Sequence, residues 1–364
     1  MNDMPARVLR RMLAERSLVR LAVLTLAVLI VFSLVSSTYF TVINFQSMGF
    51  QVAEVGLLSL AVMLAMLTGG IDLSIISVAN IAGIVTAQLF KSTGAATAEP
   101  GQAFAMTVGF ILIGLFAGTV CGVLNGLLIT RLRITPILAT LGTLQLLNGI
   151  AIIWTGGQAV YGMPNVFLNI GIASIGLVPV PVLVLLTAAV GTAVFVNRTG
   201  MGLRLRLIGA NPTAARYSGL NNDRVLMVTY VASAFLSSLA GIIIAARSAS
   251  ANADYGVSYL LLAIVIVVLG GVNPMGGYGT VTGVVLSAFV LQMVSSGFNM
   301  VGYSSFAYQI AQGAILIGVM SLSALARRYH VEGRSTLLNR WRRTEPSTAQ
   351  PPEGKRDEEA HQPS

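Results

Sequence analysis

The sequence predicts an all-α, polytopic membrane protein of about ten transmembrane helices with broken or re-entrant segments. Three observations carry this. The 364 residues are 55% hydrophobic and only 10% charged, with a mean hydropathy of +0.81. Soluble domains carry roughly 25% charged residues, so too little polar side chain is present to cover a water-soluble globule. Apolar runs near the ~20 residues that cross a bilayer as a helix recur along the chain, without the period-two alternation of a β-barrel. Finally, the cations gather on alternate connecting segments.

Residues 1–20 hold Arg7, Arg10, Arg11, Arg16 and Arg20 ahead of the apolar run 21–38. A cleaved leader begins in the same way, but this run is long and no clean small-x-small site follows, so it reads as a retained first span. Further spans fall at about 50–68, 73–90, 104–130, 136–153, 176–196, 225–246, 258–271, 279–298 and 305–326. With both termini cytoplasmic, the inside segments 1–20, 69–72, 131–135, 197–224, 272–278 and 327–364 carry five, none, two, five, none and eight Lys+Arg residues. Only Lys91 and Arg247 remain outside, which is the bias the positive-inside rule describes. The organisation is thus a basic cytoplasmic segment 1–20, a membrane domain 21–326 and a basic tail 327–364. Beyond Glu345 the tail has a disordered composition.

The longest polar interval, 197–224, holds Arg198, Arg204, Arg206, Arg216 and Arg224. It contains a short helix with punctuation at both ends. Asn211 can cap it, Pro212 suits its first position, and Gly219 suits a left-handed exit. A helix of two turns is not stable alone in water, so it must be held between other elements. The interval is either a structured connector or a docking surface.

Two glycine-rich breaks interrupt apolar runs. One is Leu67-Thr68-Gly69-Gly70-Ile71-Asp72-Leu73-Ser74; the other runs from Leu269-Gly270-Gly271 through Asn273-Pro274-Met275 to Gly276-Gly277-Tyr278-Gly279. Irregular backbone at membrane depth is tolerated where protein buries it or where it lines a water-filled path. Paired breaks also point to internally repeated transporters; two tight turns would give the same pattern. Asp72 can cap a helix beginning at Leu73 or touch a solute, and Glu54, near the outer end of its span, can reach water. Neither has an evident basic partner in the sequence.

Neutral polar residues are more numerous in the spans: Asn80, Gln88, Asn125, Gln145, Asn148, Gln292, Asn299, Gln309 and Gln312. Each can tie helices together; as a set they suit a neutral polar cargo better than an ion. Both histidines, His330 and His361, lie near or in the tail, so the spans hold no histidine for a metal site or a proton relay. The single cysteine, Cys121, allows no disulfide within the chain. Lys91 and Lys355 are the only lysines, and neither stands in a Gly-x-x-x-x-Gly-Lys-Ser/Thr pattern. The chain therefore has no P-loop, and energy is expected from another subunit, docked at 197–224.

The chain also resembles a known family. Its marks, in order, are Gly-Gly-Ile-Asp-Leu-Ser at 69–74, Asn-Gly-Leu-Leu-Ile-Thr-Arg-Leu-Arg-Ile at 125–134, Ala-Thr-Leu-Gly-Thr at 139–143 and Thr-Gly-Gly-Gln at 155–158. They continue with Gly-Ala-Asn-Pro-Thr-Ala-Ala-Arg-Tyr-Ser-Gly-Leu at 209–220, Ser-Leu-Ala-Gly at 238–241, and Leu-Gly-Gly-Val with Gly-Gly-Tyr-Gly-Thr at 269–280. Over about 50–326 these resemble the permease subunits of bacterial ATP-binding-cassette importers for monosaccharides, the ribose-permease-like family. The sequence departs from that pattern at Ser74-Ile75-Ile76-Ser77, at Asn273-Pro274-Met275 and in its longer tail.

The resemblance implies that Gly209, Asn211, Pro212, Ala215, Arg216 and Gly219 form a coupling helix seated in a groove of a cytoplasmic ATPase. The glycine-rich breaks and the polar residues of the spans place a broken-helix or translocation path among Gly69, Gly70, Asp72, Asn80, Asn125, Gln145, Asn148, Gly270 and Gly271. The resemblance further implies a second permease copy or paralogue, a periplasmic sugar-binding protein, a lipid bilayer around the spans and no nucleic acid. The chain itself would carry no cofactor, ATP-Mg belonging to the partner ATPase, and would be no enzyme. The location implied is the bacterial inner membrane. A stand-alone secondary carrier for a small polar solute is the alternative reading.

Overall fold

The computed structural model describes residues 21–304, 306–318 and 321; the expected basic segment 1–20 and the tail 327–364 lie outside them. The chain divides into two compact units, residues 1–316 and 317–364. The contacts discussed here lie in the first. Seven helices are long and apolar enough to cross a membrane: α2 (Val42–Leu67), α3 (Ile75–Thr93), α4 (Pro100–Thr130), α5 (Pro136–Thr155), α7 (Val180–Arg198), α10 (Asn222–Ser248) and α12 (Val281–Met300). Three shorter apolar helices are α1 (Leu21–Val35), α11 (Tyr259–Leu269) and α13 (Phe306–Gly318). Each expected span thus has a helix, and the protein is an all-α polytopic membrane protein.

Three further helices lie between the expected spans, of which only α9 was expected. They are α6 (Asn165–Ile172), α8 (Gly200–Ala210) and α9 (Pro212–Tyr217). A two-residue antiparallel ladder, Ser174–Ile175 with Val178–Pro179, turns through Gly176 before α7. The interval 197–224 is therefore mostly helical, more so than the single short helix expected. The physical signal for α8 was Thr199, whose hydroxyl accepts the amide of Gly202 as an N-cap should.

The core lies along α2 and α10. From Val52 to Leu67 every residue of α2 is buried, Ser59 included, whose hydroxyl returns to the carbonyl of Val55 at 2.7 Å. Helix α4 packs on α3 and α10 through Gly114, Gly118, Gly122 and Gly126, one small residue per turn on one face. A Cβ built on Gly118 would stand 1.9 Å from the Ser238 hydroxyl, and one on Gly122 would stand 2.4 Å from Ala234 Cβ. In a bilayer no hydrophobic drive favours one apolar face over lipid, so such close approach of backbones is what holds helices together.

Helix α11 has only 11 residues. At about 1.5 Å per residue it covers about half of a ~30 Å hydrocarbon core. The rest of that passage is the preceding segment 249–258, which folds back along α10. Gly241 of α10 lies against Ala79 of α3, yet Asn80 donates to the carbonyls of Ala253 at 2.6 Å and Tyr255 at 3.0 Å. Ala253 and Tyr255, well past that contact in the chain, have returned to its level. The sequence reading had placed this segment outside the span.

Candidate functional site

Helix α9 is built as its sequence suggests. The side chain of Asn211 accepts from the amides of Thr213 at 3.1 Å and Ala214 at 2.9 Å, Pro212 starts the helix, and Gly219 leaves it at φ +77°. Ala215, expected to face a partner, is instead buried within this chain at 5% exposure. Its methyl seats α9 on its own scaffold. The outward face is Thr213, Ala214, Arg216 and Tyr217, and Tyr217 is 90% exposed. Sequence reasoning passed over that tyrosine because an aromatic in a six-residue helix resembles a core residue.

The two glycine-rich breaks meet each other, and both meet the end of α8. The amide of Gly277 donates to the carbonyl of Leu67 at 3.0 Å. A Cβ on Gly209 would stand 2.0 Å from that same carbonyl and 2.5 Å from the Gly277 nitrogen. One on Gly276 would stand 2.7 Å from both the Gly209 oxygen and the Gly69 nitrogen. Gly69, Gly276 and Gly277 all have φ between +82° and +92°, a region open to glycine and strained for other residues. Asn273 closes the second break upon itself, its side chain donating to the Gly276 carbonyl at 2.9 Å and accepting the Met275 amide at 3.2 Å. Gly271 also takes φ +82°, while Gly270 packs on the backbone of Gly283. Three stretches far apart in sequence thus form one backbone junction, two residues before the α9 cap.

Beyond the junction, Gly70 packs under the Tyr230 hydroxyl, and Ile71 and Leu73 are held by Thr140 of α5. Asp72 is not the helix cap expected: α3 begins at Ile75, after Ser74. One carboxylate oxygen of Asp72 accepts from the Ser74 amide at 3.0 Å and hydroxyl at 2.7 Å; the other accepts from Ser233 of α10 at 2.8 Å. Asn125 donates to the Ser74 hydroxyl at 2.7 Å and accepts from Thr143 at 2.6 Å. Asp72 and Asn125 are therefore buried, hydrogen-bonded struts joining α3, α4, α5 and α10.

Glu54 corrects a second expectation. It is 0% exposed, and it has a basic partner: Arg247 donates through Nε and through Nη2, the latter at 3.0 Å. Arg247, counted above as an outside charge, ends α10 and neutralises a carboxylate of α2. No local pattern joins residues so far apart in sequence.

Three of the nine expected path residues come together. Asn80 of α3 and Gln145 and Asn148 of α5 line a cavity of about 310 Å³ with Ser77, Asp254 and Val257. That size is at the low end for small-molecule sites. Among the described residues lining it, Asp254 alone is charged. Gly69, Gly70, Gly270 and Gly271 instead belong to the breaks.

Comparison with known proteins follows this geometry. The chain is 32% identical over 293 residues to the ribose import permease protein RbsC of Bacillus subtilis, which covers 79% of this chain and 87% of that protein. It is 29% identical over 321 residues to the xylose/arabinose import permease protein XylH of Sulfolobus acidocaldarius, covering 88% and 86%. It is 30% identical over 280 residues to the L-arabinose transport system permease protein AraH of Escherichia coli, covering 77% and 82%. No solved structure matches the chain. Residues 44–320 match the family described as branched-chain amino acid transport system / permease component, and with a match of that extent the chain belongs to this family of membrane permeases.

Proposed function

We propose that this permease is the membrane subunit of an ATP-driven importer in the inner membrane, carrying a monosaccharide or a similar neutral polar solute into the cytoplasm. ATP-Mg is bound and hydrolysed by a separate cytoplasmic subunit, a periplasmic binding protein delivers the solute, and a second permease copy or paralogue completes the path. The observation that carries this reading is α9: a rigid, capped helix with an exposed face, joined within two residues to the junction of both broken segments. A push on α9 moves Gly209, and Gly209 has no free space before Leu67 and Gly277. Coupling thereby passes into α2 and the α11–α12 connection.

The cargo is supported by the cavity and by the relatives, named for ribose, xylose and arabinose. A branched-chain amino acid, named in the family description, is zwitterionic and is served best by paired groups of both signs. The described cavity wall offers amides, a hydroxyl and one carboxylate, and no basic residue.

Tyr217 tests the coupling. Truncating an exposed aromatic anchor at a docking face costs about 2 kcal/mol or more of binding. Tyr217→Ala is expected to insert normally, to lose co-purification with the ATPase and to stop uptake. A Tyr217→Ala, Arg216→Ala protein that holds its ATPase as tightly as the parent would make α9 a mere connector.

A further inference from the structure

The segment between α10 and α11 is held at its base and near its tip by different helices. Arg247, just before it, donates to Glu54 of α2. Within it, Ala251 pairs with Val160 in both directions, at 2.8 and 3.0 Å, and Asn80 ties down the carbonyls of Ala253 and Tyr255. The Ser250 hydroxyl meets that of Tyr255 at 2.7 Å, and the Asn252 side chain accepts the Asp254 amide at 3.0 Å. The backbone of this non-regular stretch is therefore tied down at Ala251, Ala253 and Tyr255.

On the cavity stands Asp254. Its carboxylate forms no hydrogen bond or ion pair among the described residues, and neither do the side-chain amides of Gln145 and Asn148 on the α5 wall. Deeper in the bundle Asp72 accepts three hydrogen bonds, and Asn125 and Asn80 make two each, whereas Asp254 and Gln145 stand exposed at the cavity. Asp254, Gln145 and Asn148 thus bring polar groups without a partner among the described residues onto one cavity wall.

We propose that Asp254 is a specificity-determining residue of the solute path, its carboxylate accepting hydrogen bonds from adjacent hydroxyls of a neutral polyol held against Gln145 and Asn148. An ionised acceptor makes shorter and stronger bonds to hydroxyls than a neutral one, and its two oxygens match a vicinal diol. The amides opposite donate and accept, as sugar hydroxyls do. The inference rests on the cavity's being part of the importer's path and adds the residue that reads the cargo.

The test uses the complete transporter in membrane vesicles, with Cys121→Ala as background and Val257→Cys as reporter on the cavity wall. Thiol labelling of Val257→Cys is timed with D-ribose, D-xylose, L-arabinose or L-leucine at high concentration. At least one pentose is expected to slow labelling. Asp254→Asn should raise the protecting concentration by roughly tenfold, and Asp254→Ala should abolish protection, because the charge-assisted bonds are weakened or lost. Labelling without solute should stay at the parent rate in both variants. Pentose protection that survives Asp254→Ala unchanged overturns the role of Asp254 while leaving the sugar reading intact. Protection by leucine alone overturns the sugar reading itself. Protection by no probe removes the cavity from the path, and the role of Asp254 with it.

Discussion

Gly277 donates its amide to the carbonyl of Leu67 across 3.0 Å, and Gly209 is wedged against both. This contact fastens the two broken stretches to the helix that leads into α9. Adding a side chain at Gly276, where φ is +92°, forces a strained backbone as well as a collision. Such strain costs on the order of 1–3 kcal/mol. Gly276→Val is expected to leave ATPase binding in place and to reduce solute uptake per ATP hydrolysed. Gly142→Ala, with open space around it, is the control that should change neither. Uptake measured beside phosphate release decides the matter, and full coupling in Gly276→Val would contradict the junction's role.

Glu54 and Arg247 make a prediction about stability. Breaking a buried ion pair from one side leaves an uncompensated charge and costs roughly 3–5 kcal/mol, whereas removing both charges costs far less. Arg247→Met alone should lower the midpoint of thermal aggregation in detergent. The pair Glu54→Gln with Arg247→Met should recover most of that loss. If the double variant is as unstable as the sum of the two single ones, the pair is not coupled as the geometry says.

Asp72 should tolerate asparagine better than leucine. Asparagine keeps an oxygen for the Ser74 amide and offers an NH2 to the Ser233 hydroxyl, which can turn to accept it. Leucine strands three donors in the core, each costing about 1–3 kcal/mol. Expression of folded protein, followed by size-exclusion profile, should fall in the order parent, Asp72→Asn, Asp72→Leu. Equal collapse of the two variants would show that the charge, rather than the hydrogen-bond count, is needed.

Much of the fold is legible because lipid enforces it: apolar length sets each span, and charge placement orders the connections. Asn211-Pro212 and Gly219 announce α9 because caps are local chemistry, readable residue by residue. The four-residue glycine spacing from Gly114 to Gly126 was equally visible, and it marks the face on which α4 packs. What was not legible depends on contacts across the chain. Nothing near Glu54 points to Arg247, and nothing near Gly69 points to Gly276 or Gly209. Asp254 was hidden because only the fold, with Asn80 holding the backbone on either side of it, sets it beside Gln145 and Asn148. Ala215 faced the wrong way in the sequence reading because a six-residue helix has no periodicity to orient it.

The central claim is that transport by this chain is driven by an ATPase acting through α9. Its most direct test is uptake of radiolabelled D-ribose, D-xylose and L-arabinose into proteoliposomes containing the permease alone, or the permease with ATPase and binding protein. The account predicts no concentrative uptake by the permease alone under a proton or sodium gradient. With the partners and ATP, uptake and ATP hydrolysis should appear together, and both should vanish with Tyr217→Ala. Concentrative uptake by the permease alone, driven by an ion gradient and indifferent to ATP, would contradict it.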